Sequence, residues 1–259
     1  MNEFQTLNYA FDANVAKITL TQPQKLNALS PRMVVDLMQA LDRAEADGAR
    51  ALLLTGEGRG FCAGADLTAA GEVDFASEDI LEKLFNPFFE RLLTLPFPVV
   101  SAVNGITAGG GCTLAFNSDF IVAARSAYFL QPFTRIGILP DGGATWTLPR
   151  LVGRGRAMEL MMLGEKLPAE KAEAWGMVYK VVDDKALLAE ANALAARLAA
   201  GPTVAYAMTR KAVFLAQQSG YGAALKFESD AQKIVTKSGD SIEGLTAFIE
   251  KRAPNFTGK

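Results

Sequence analysis

The sequence predicts an α/β protein built on a mainly parallel sheet, and three observations lead there. Short, continuously apolar runs bounded by glycine or proline read as strands buried on both faces. Amphipathic helical stretches lie between those runs. The unit of strand, loop and helix then recurs along the chain, which requires crossover connections. With 259 residues, half of them hydrophobic, the chain can bury a large core as one sizeable domain with a small appendage.

Each element has a local reason. Leu7 to Phe11 and Val15 to Leu20 predict a strand pair with a turn at Asp12 to Asn14, the second strand alternating Val15, Lys17 and Thr19 against Ala16, Ile18 and Leu20. Ser30-Pro31 reads as an N-cap followed by proline at the first helical position. Val34, Leu37, Met38 and Leu41 follow at helical spacing, so a helix runs from Pro31 to Asp47 and closes at Gly48. Ala51 to Thr55 is a buried strand. The polar stretch Thr68 to Ser77 reads as a loop, and Asp79 to Leu95 as a helix that stops before Pro96 and Pro98. Val99 to Val103, Phe120 to Ala124 and Tyr128 to Leu130 are further strands, with a short helix at Gly110 to Phe116. Beyond Pro168 the pattern is mostly helical, with one strand near Val178 to Val182. Helices follow at Ala186 to Ala200 and Thr203 to Gln217, and a last one starts at Gly239-Asp240.

Composition narrows the chemistry. The 26 basic and 28 acidic residues nearly cancel, so no global field argues for nucleic acid or an anionic membrane. The N-terminus lacks a basic region followed by an apolar run, and no stretch reaches the roughly eighteen apolar residues of a membrane span. A cytoplasmic protein is expected. There is no histidine, which excludes Ser-His-Asp and Cys-His arrangements and removes the commonest metal ligand. No metal site is expected, and acid-base work falls to carboxylates, lysine, tyrosine or water. Cys62 and Cys112 have no activating partner in the sequence and read as buried, inert thiols.

Two glycine-bearing segments about forty residues apart carry the strongest functional signal: Phe61 to Leu67 (FCAGADL) and Val103 to Gly111 (VNGITAGGG). Glycine permits close backbone approach and positive φ. The second segment runs into a helix whose first N–H groups lack intrahelical partners. Such segments can present converging N–H donors, an arrangement that stabilises an oxyanion.

Together with PQKLNAL (Pro23 to Leu29), SDFIVAARSAYF (Ser118 to Phe129), LPDGGATWTLPRLVG and the closing AFIEKRAPNFTGK, these segments resemble the enoyl-CoA hydratase/isomerase, or crotonase, family over nearly the whole chain and in the family's order. The resemblance implies the ClpP/crotonase-like fold of repeated ββα units with a C-terminal helical domain. It divides the chain into a core at 1–200, holding the thioester site, and a helical part at 201–259 that covers coenzyme A and forms a homotrimer or a dimer of trimers. The implied substrate is an acyl-CoA thioester, with coenzyme A belonging to the substrate and no separate cofactor.

Residue by residue, the resemblance places oxyanion donors at the backbone N–H groups of Ala65 and Gly110. It makes Lys25, Lys251, Phe248, Leu67 and the backbone from Ala63 to Thr68 neighbours of coenzyme A. Read alone, Lys25 and Lys251 are ordinary solvated lysines. Asp66 reads as a residue that orders its loop, and Asp119 as a packing or capping residue. The two glutamates with which the family's hydratases add water correspond here to Thr113 and Phe133. Adding water needs one group to activate it and one to protonate carbon, and neither residue can serve. Phe133 instead makes the acyl pocket apolar and aromatic, or is plain core.

Asp141, in Leu139-Pro140-Asp141-Gly142-Gly143, lies in a tight turn before a helix. By itself it reads as a cap or turn aspartate; in the family, an aspartate of this segment is the lone acid-base group of several isomerases. The expected activity is therefore isomerisation of an acyl-CoA, either of a ring epoxide to an oxepin or of a 3-enoyl to a 2-enoyl thioester. A 2-enoyl-CoA hydratase, an aryl-CoA dehalogenase and a catalytically silent acyl-CoA or protein binder are the alternatives.

Overall fold

The computed structural model describes residues 4–67 and 80–259. The loop expected at Thr68 to Ser77, and Thr68 itself, lie outside the described residues.

The chain opens with β1 (Leu7–Asp12) and β2 (Val15–Leu20), which pair antiparallel. Their turn has two residues, Ala13 and Asn14, at φ 47° and 63°, the positive-φ pair that matches hairpin twist. Asp12, expected in the turn, is instead the last strand residue, opposite Val15. Helix α1 (Pro31–Ala46) begins as its sequence dictates: the Ser30 hydroxyl accepts from the Met33 N–H at 3.2 Å. Its apolar face, including Met33, Leu37, Ala40 and Leu41, is buried.

Three successive units then share one plan. In each, a first strand enters a large sheet and a second, much shorter strand enters a small one. The pairs are β3 (Ala51–Gly56) with β4 (Gly60–Cys62), β5 (Val99–Val103) with β6 (Ile106–Ala108), and β7 (Phe120–Ala124) with β8 (Tyr128–Leu130). Between the first two units runs helix α2 (Asn86–Thr94), and after β6 comes α3 (Gly110–Phe116), all seven of whose residues are buried. The turn Leu81–Phe85 ahead of α2 is wider than an α-helical one. Pro87 follows directly and has no N–H to close a normal turn.

After β8 come α4 (Ala144–Met158), broken at Gly153, then β9 (Leu167–Pro168), α5 (Ala169–Ala174) and β10 (Lys180–Val182). The large sheet has the order β1-β2-β3-β5-β7-β10 and is parallel from β2 to β10; the small one has the order β4-β6-β8-β9. Of the short strands, β8 lies where the sequence predicts it, at Tyr128–Leu130, whereas β4, β6 and β9 went unread because two or three residues carry no periodicity. The last sheet strand is shorter than expected, beginning at Lys180 rather than Val178.

Four helices finish the chain: α6 (Leu187–Ala199), α7 (Thr203–Ala216), α8 (Tyr221–Val235) and α9 (Gly239–Glu250). Two arginines tie α7 to the core. Arg50 donates to the Gly201 carbonyl at 2.6 Å and the Thr203 hydroxyl at 2.9 Å. Arg210 on α7 pairs with Asp119 at 2.7 Å and donates to the carbonyls of Leu92 and Leu95. Asp119 also accepts from the Val99 N–H at 2.7 Å, the structural role its sequence position implied. Among the described residues, no helix is long and apolar enough to cross a membrane.

Candidate active site

The two glycine segments meet backbone to backbone. A Cβ at Gly111 would lie 2.1 Å from the Cys62 carbonyl oxygen, and one at Gly64 would lie 2.8 Å from the Ala108 carbonyl oxygen and 3.1 Å from the Gly110 nitrogen. No side chain fits in either place, and Gly64 also holds φ at +87°. A third strand of backbone locks the first segment: Leu29 donates to Gly64 O at 2.7 Å, and Asp66 donates to Leu29 O at 3.2 Å. Those two bonds use the N–H groups on either side of the bridge and leave that of Ala65 without an acceptor among the described residues. Gly110, the first residue of α3, has no intrahelical acceptor either.

Ala65 and Gly110 line a cavity of about 140 Å³. Its floor is backbone, with Ala63, Gly64 and Gly109; its walls include Phe85, Phe89, Phe133, Ile136 and Ile138; Asp141 and Gly142 close one side. The Phe133 ring covers Gly109, with ring carbons 3.5 and 3.7 Å from where a Cβ would stand. The turn at Asp141 is built by Gly142 and Gly143, at φ +60° and +87°, and by the Ala144 N–H donating to Asp141 O at 3.0 Å. Gly143 occupies the cap of α4 and no side chain caps that helix, so the capping explanation of Asp141 fails. No cation among the described residues pairs with the Asp141 carboxylate. Burial pushes its pKa above the ordinary aspartate value, outweighing a lowering bond from its own backbone.

The sequence-predicted residues thus divide. Ala63, Ala65, Leu67, Gly110, Phe133 and Asp141 come together around one cavity. Lys25 and Asp66 form a 2.7 Å ion pair beside it, with Asp66 buried and Lys25 half-exposed. Phe248 and Lys251 lie at the exposed end of α9 and outside the cavity lining of this chain, with Phe248 81% exposed. Thr113 is fully buried and also outside the lining, its hydroxyl without a partner among the described residues. Both thiols are buried: Cys62 is pushed up to about 12 by desolvation, and Cys112 is raised by the same cause. Sequence reasoning missed Phe85, Phe89 and the Ile136–Ile138 wall. The spacing of Phe85, Phe88, Phe89 and Leu92 on one helical face was the available signal, but it reads equally as core. Among the described residues no group of three or more potential metal ligands occurs.

A cavity floored by glycine backbone with two N–H groups, and flanked by one partly desolvated carboxylate that has no cation partner among the described residues, suits chemistry at a carbonyl that gains negative charge. Solved structures share the whole fold. An enoyl-CoA hydratase subunit from Geobacillus kaustophilus HTA426 superposes with a TM-score of 0.93 at 35% identity, covering 99% of this chain and 100% of that one. The protein therefore has the crotonase fold. The family model for enoyl-CoA hydratase/isomerase matches residues 10–259, and the chain belongs to that family, whose members act on CoA thioesters. It is 43% identical to 1,2-epoxyphenylacetyl-CoA isomerase of Escherichia coli (strain K12), over 96% of this chain and 97% of that protein. A probable enoyl-CoA hydratase of Rhodobacter capsulatus is 41% identical, with 99% of both chains covered.

Proposed function

We propose that this chain is an acyl-CoA isomerase in which the N–H groups of Ala65 and Gly110 stabilise a thioester enolate and Asp141 is the single acid-base group. The observation that carries the reading is the Asp141 carboxylate, unpaired among the described residues and desolvated on the wall of the cavity that the two glycine segments floor. For a 3-enoyl thioester, Asp141 takes a proton from the carbon between the double bond and the carbonyl. The electron pair spreads into the thioester, and the proton returns two carbons farther on, leaving a conjugated 2-enoyl thioester. Nothing is added or lost, so one carboxylate suffices. The aromatic walls and the likeness to the Escherichia coli isomerase favour a ring epoxide, converted to an oxepin thioester, as a second or principal substrate and phenylacetate breakdown in the cytoplasm as the setting.

Around this centre, Ala63, Leu67 and Phe133 contact the thioester arm or acyl group. Lys25, held by Asp66, and Lys251 with Phe248 meet coenzyme A, the last two from the helical end of a neighbouring subunit in a homotrimer or dimer of trimers. The exposed Tyr221, Ile242, Leu245 and Ile249 of α8 and α9 support that assembly, since apolar faces of this kind are normally covered.

The test follows the conjugated thioester spectrophotometrically, with wild type and Asp141→Asn on a 3-enoyl-CoA and with crotonyl-CoA hydration alongside. Isomerisation that vanishes in the variant, with negligible hydration, is the expected result. Efficient hydration by the wild type would overturn the reading in favour of a hydratase. Thioester binding without turnover by either protein, on the 3-enoyl or the ring-epoxide substrate, would make the chain a silent binder.

A further inference from the structure

The segment carrying Asp141 is loosely held on its outer side. Residues Ile136, Ile138 and Leu139 are all exposed, Leu139 to 76%, and both Gly142 and Gly143 adopt positive φ with no side chain of their own to pack. A Cβ at Gly143 would meet open space, but one at Gly142 would lie 2.8, 3.2 and 3.3 Å from Cε2, Cδ2 and Cζ of the Phe89 ring. The glycine next to the carboxylate is therefore pressed flat against that ring. The same Phe89 Cζ stands 3.9 Å from where a Cβ of Gly110 would be. One buried aromatic side chain thus lies against Gly142 and faces Gly110, all three lining the same cavity. Its own position is set from behind by Phe88, with ring centroids 5.2 Å apart, and by its place in the middle of α2.

We propose that Phe89 is a positioning residue: its ring is the spacer that fixes the Asp141 turn relative to the Gly110 N–H. It touches no reacting atom in this role. It sets the separation between the group that moves the proton and the donor that stabilises the negative charge, and its bulk keeps water from the carboxylate on that side. This rests on the reading of Asp141 as the acid-base group. A spacer matters because a misplacement of about 1 Å in a reacting constellation can cost about a hundredfold in rate. Nearby Phe133, by contrast, lies against Gly109, while the three atoms nearest a Cβ at Gly142 all belong to Phe89, so the two rings are not interchangeable.

The experiment compares Phe89→Ala, Phe89→Leu and Asp141→Asn with wild type on the 3-enoyl-CoA, measuring kcat and KM over a range of pH and the folded fraction by thermal melting. With the ring gone, kcat per folded molecule should fall about ten- to hundredfold while KM changes by less than about threefold. The acid limb of the kcat/KM profile should move down toward the ordinary carboxylate range as water reaches Asp141. Phe89→Leu, which refills most of the volume, should recover part of kcat and part of that limb. A wild-type kcat and unmoved acid limb in folded Phe89→Ala would overturn the proposal, as would losses that only track the folded fraction. Should Phe89→Ala not fold, Phe89→Leu decides by the same two readouts. Asp141→Asn separates the causes: if it retains turnover, the reading of Asp141 fails; if it is inactive and the Phe89 variants behave as wild type, only the spacer fails.

Discussion

Two cavities in this molecule each have an aspartate on the wall, and they make opposite use of it. The larger, about 480 Å³, lies between α7, the start of α4 and the entrance to β7, with Trp146, Phe214, Arg210 and Asp119 among its lining. There Asp119 is held by the Val99 N–H and the Arg210 guanidinium. The smaller, about 140 Å³, holds Asp141, which has no cation partner among the described residues and a pKa raised by burial. Both oxygens of Asp119 are taken up by bonds from Arg210 and Val99, whereas a partly desolvated carboxylate without a cation partner gains from taking a proton. On the proposed reading, cavity size therefore does not mark the site. The state of the carboxylate and the nature of the floor do, and only the smaller cavity is floored by glycine backbone.

The comparison breaks most directly if the wrong aspartate proves essential. Asp141→Asn should lower isomerisation by about 10²- to 10⁴-fold with thioester affinity retained, while folded Asp119→Asn should turn over as wild type; the reverse pattern in the same assay would assign chemistry to the larger cavity. Next in size is the floor. Gly64→Ala must move a Cβ off the Ala108 carbonyl and off the Gly110 nitrogen, spoiling the donor geometry. A loss of roughly a hundredfold in kcat is expected, on the scale of one oxyanion donor at about 3 kcal/mol.

The larger cavity is sharpened by Arg210→Met. It strands Asp119 and two carbonyls and should cost about 1–3 kcal/mol of stability, read as a shift in denaturant midpoint, with kcat of the folded protein unchanged. The smallest effect concerns stability and pH. The folded-state pKa of Asp141 lies above the unfolded one, so its contribution is fully present below the unfolded pKa, 3.8, and is lost as pH rises through the folded value. Asp141→Asn should therefore melt slightly higher than wild type at neutral pH, and that advantage should shrink on acidification. A variant that melts lower at neutral pH would show that the ionised carboxylate stabilises the fold.

How legible this was differs by element. The strand pair, α1 with its Ser30 cap, and the central strands β3, β5 and β7 were readable because apolar runs and cap residues act locally. The small-sheet strands β4 and β6 were not, since Gly60–Cys62 and Ile106–Ala108 owe their conformation to each other and not to their own sequence. In the site, the glycine segments announced themselves because close backbone approach leaves only one residue type possible. Phe89 did not, because a phenylalanine on the buried face of a helix has the same pattern whether it fills core or spaces two catalytic loops.

The sequence by itself determined which residue types were available for acid-base work: with no histidine, it was left to a carboxylate, lysine, tyrosine or water. Only the tertiary structure decided which carboxylate was available. Whether Arg210 reaches Asp119 or leaves it free, and whether burial around Asp141 outweighs the backbone bond that stabilises its charge, depends on elements separated by tens of residues. Desolvation and pairing are properties of what surrounds a group in space, and composition and spacing along the chain do not encode them locally.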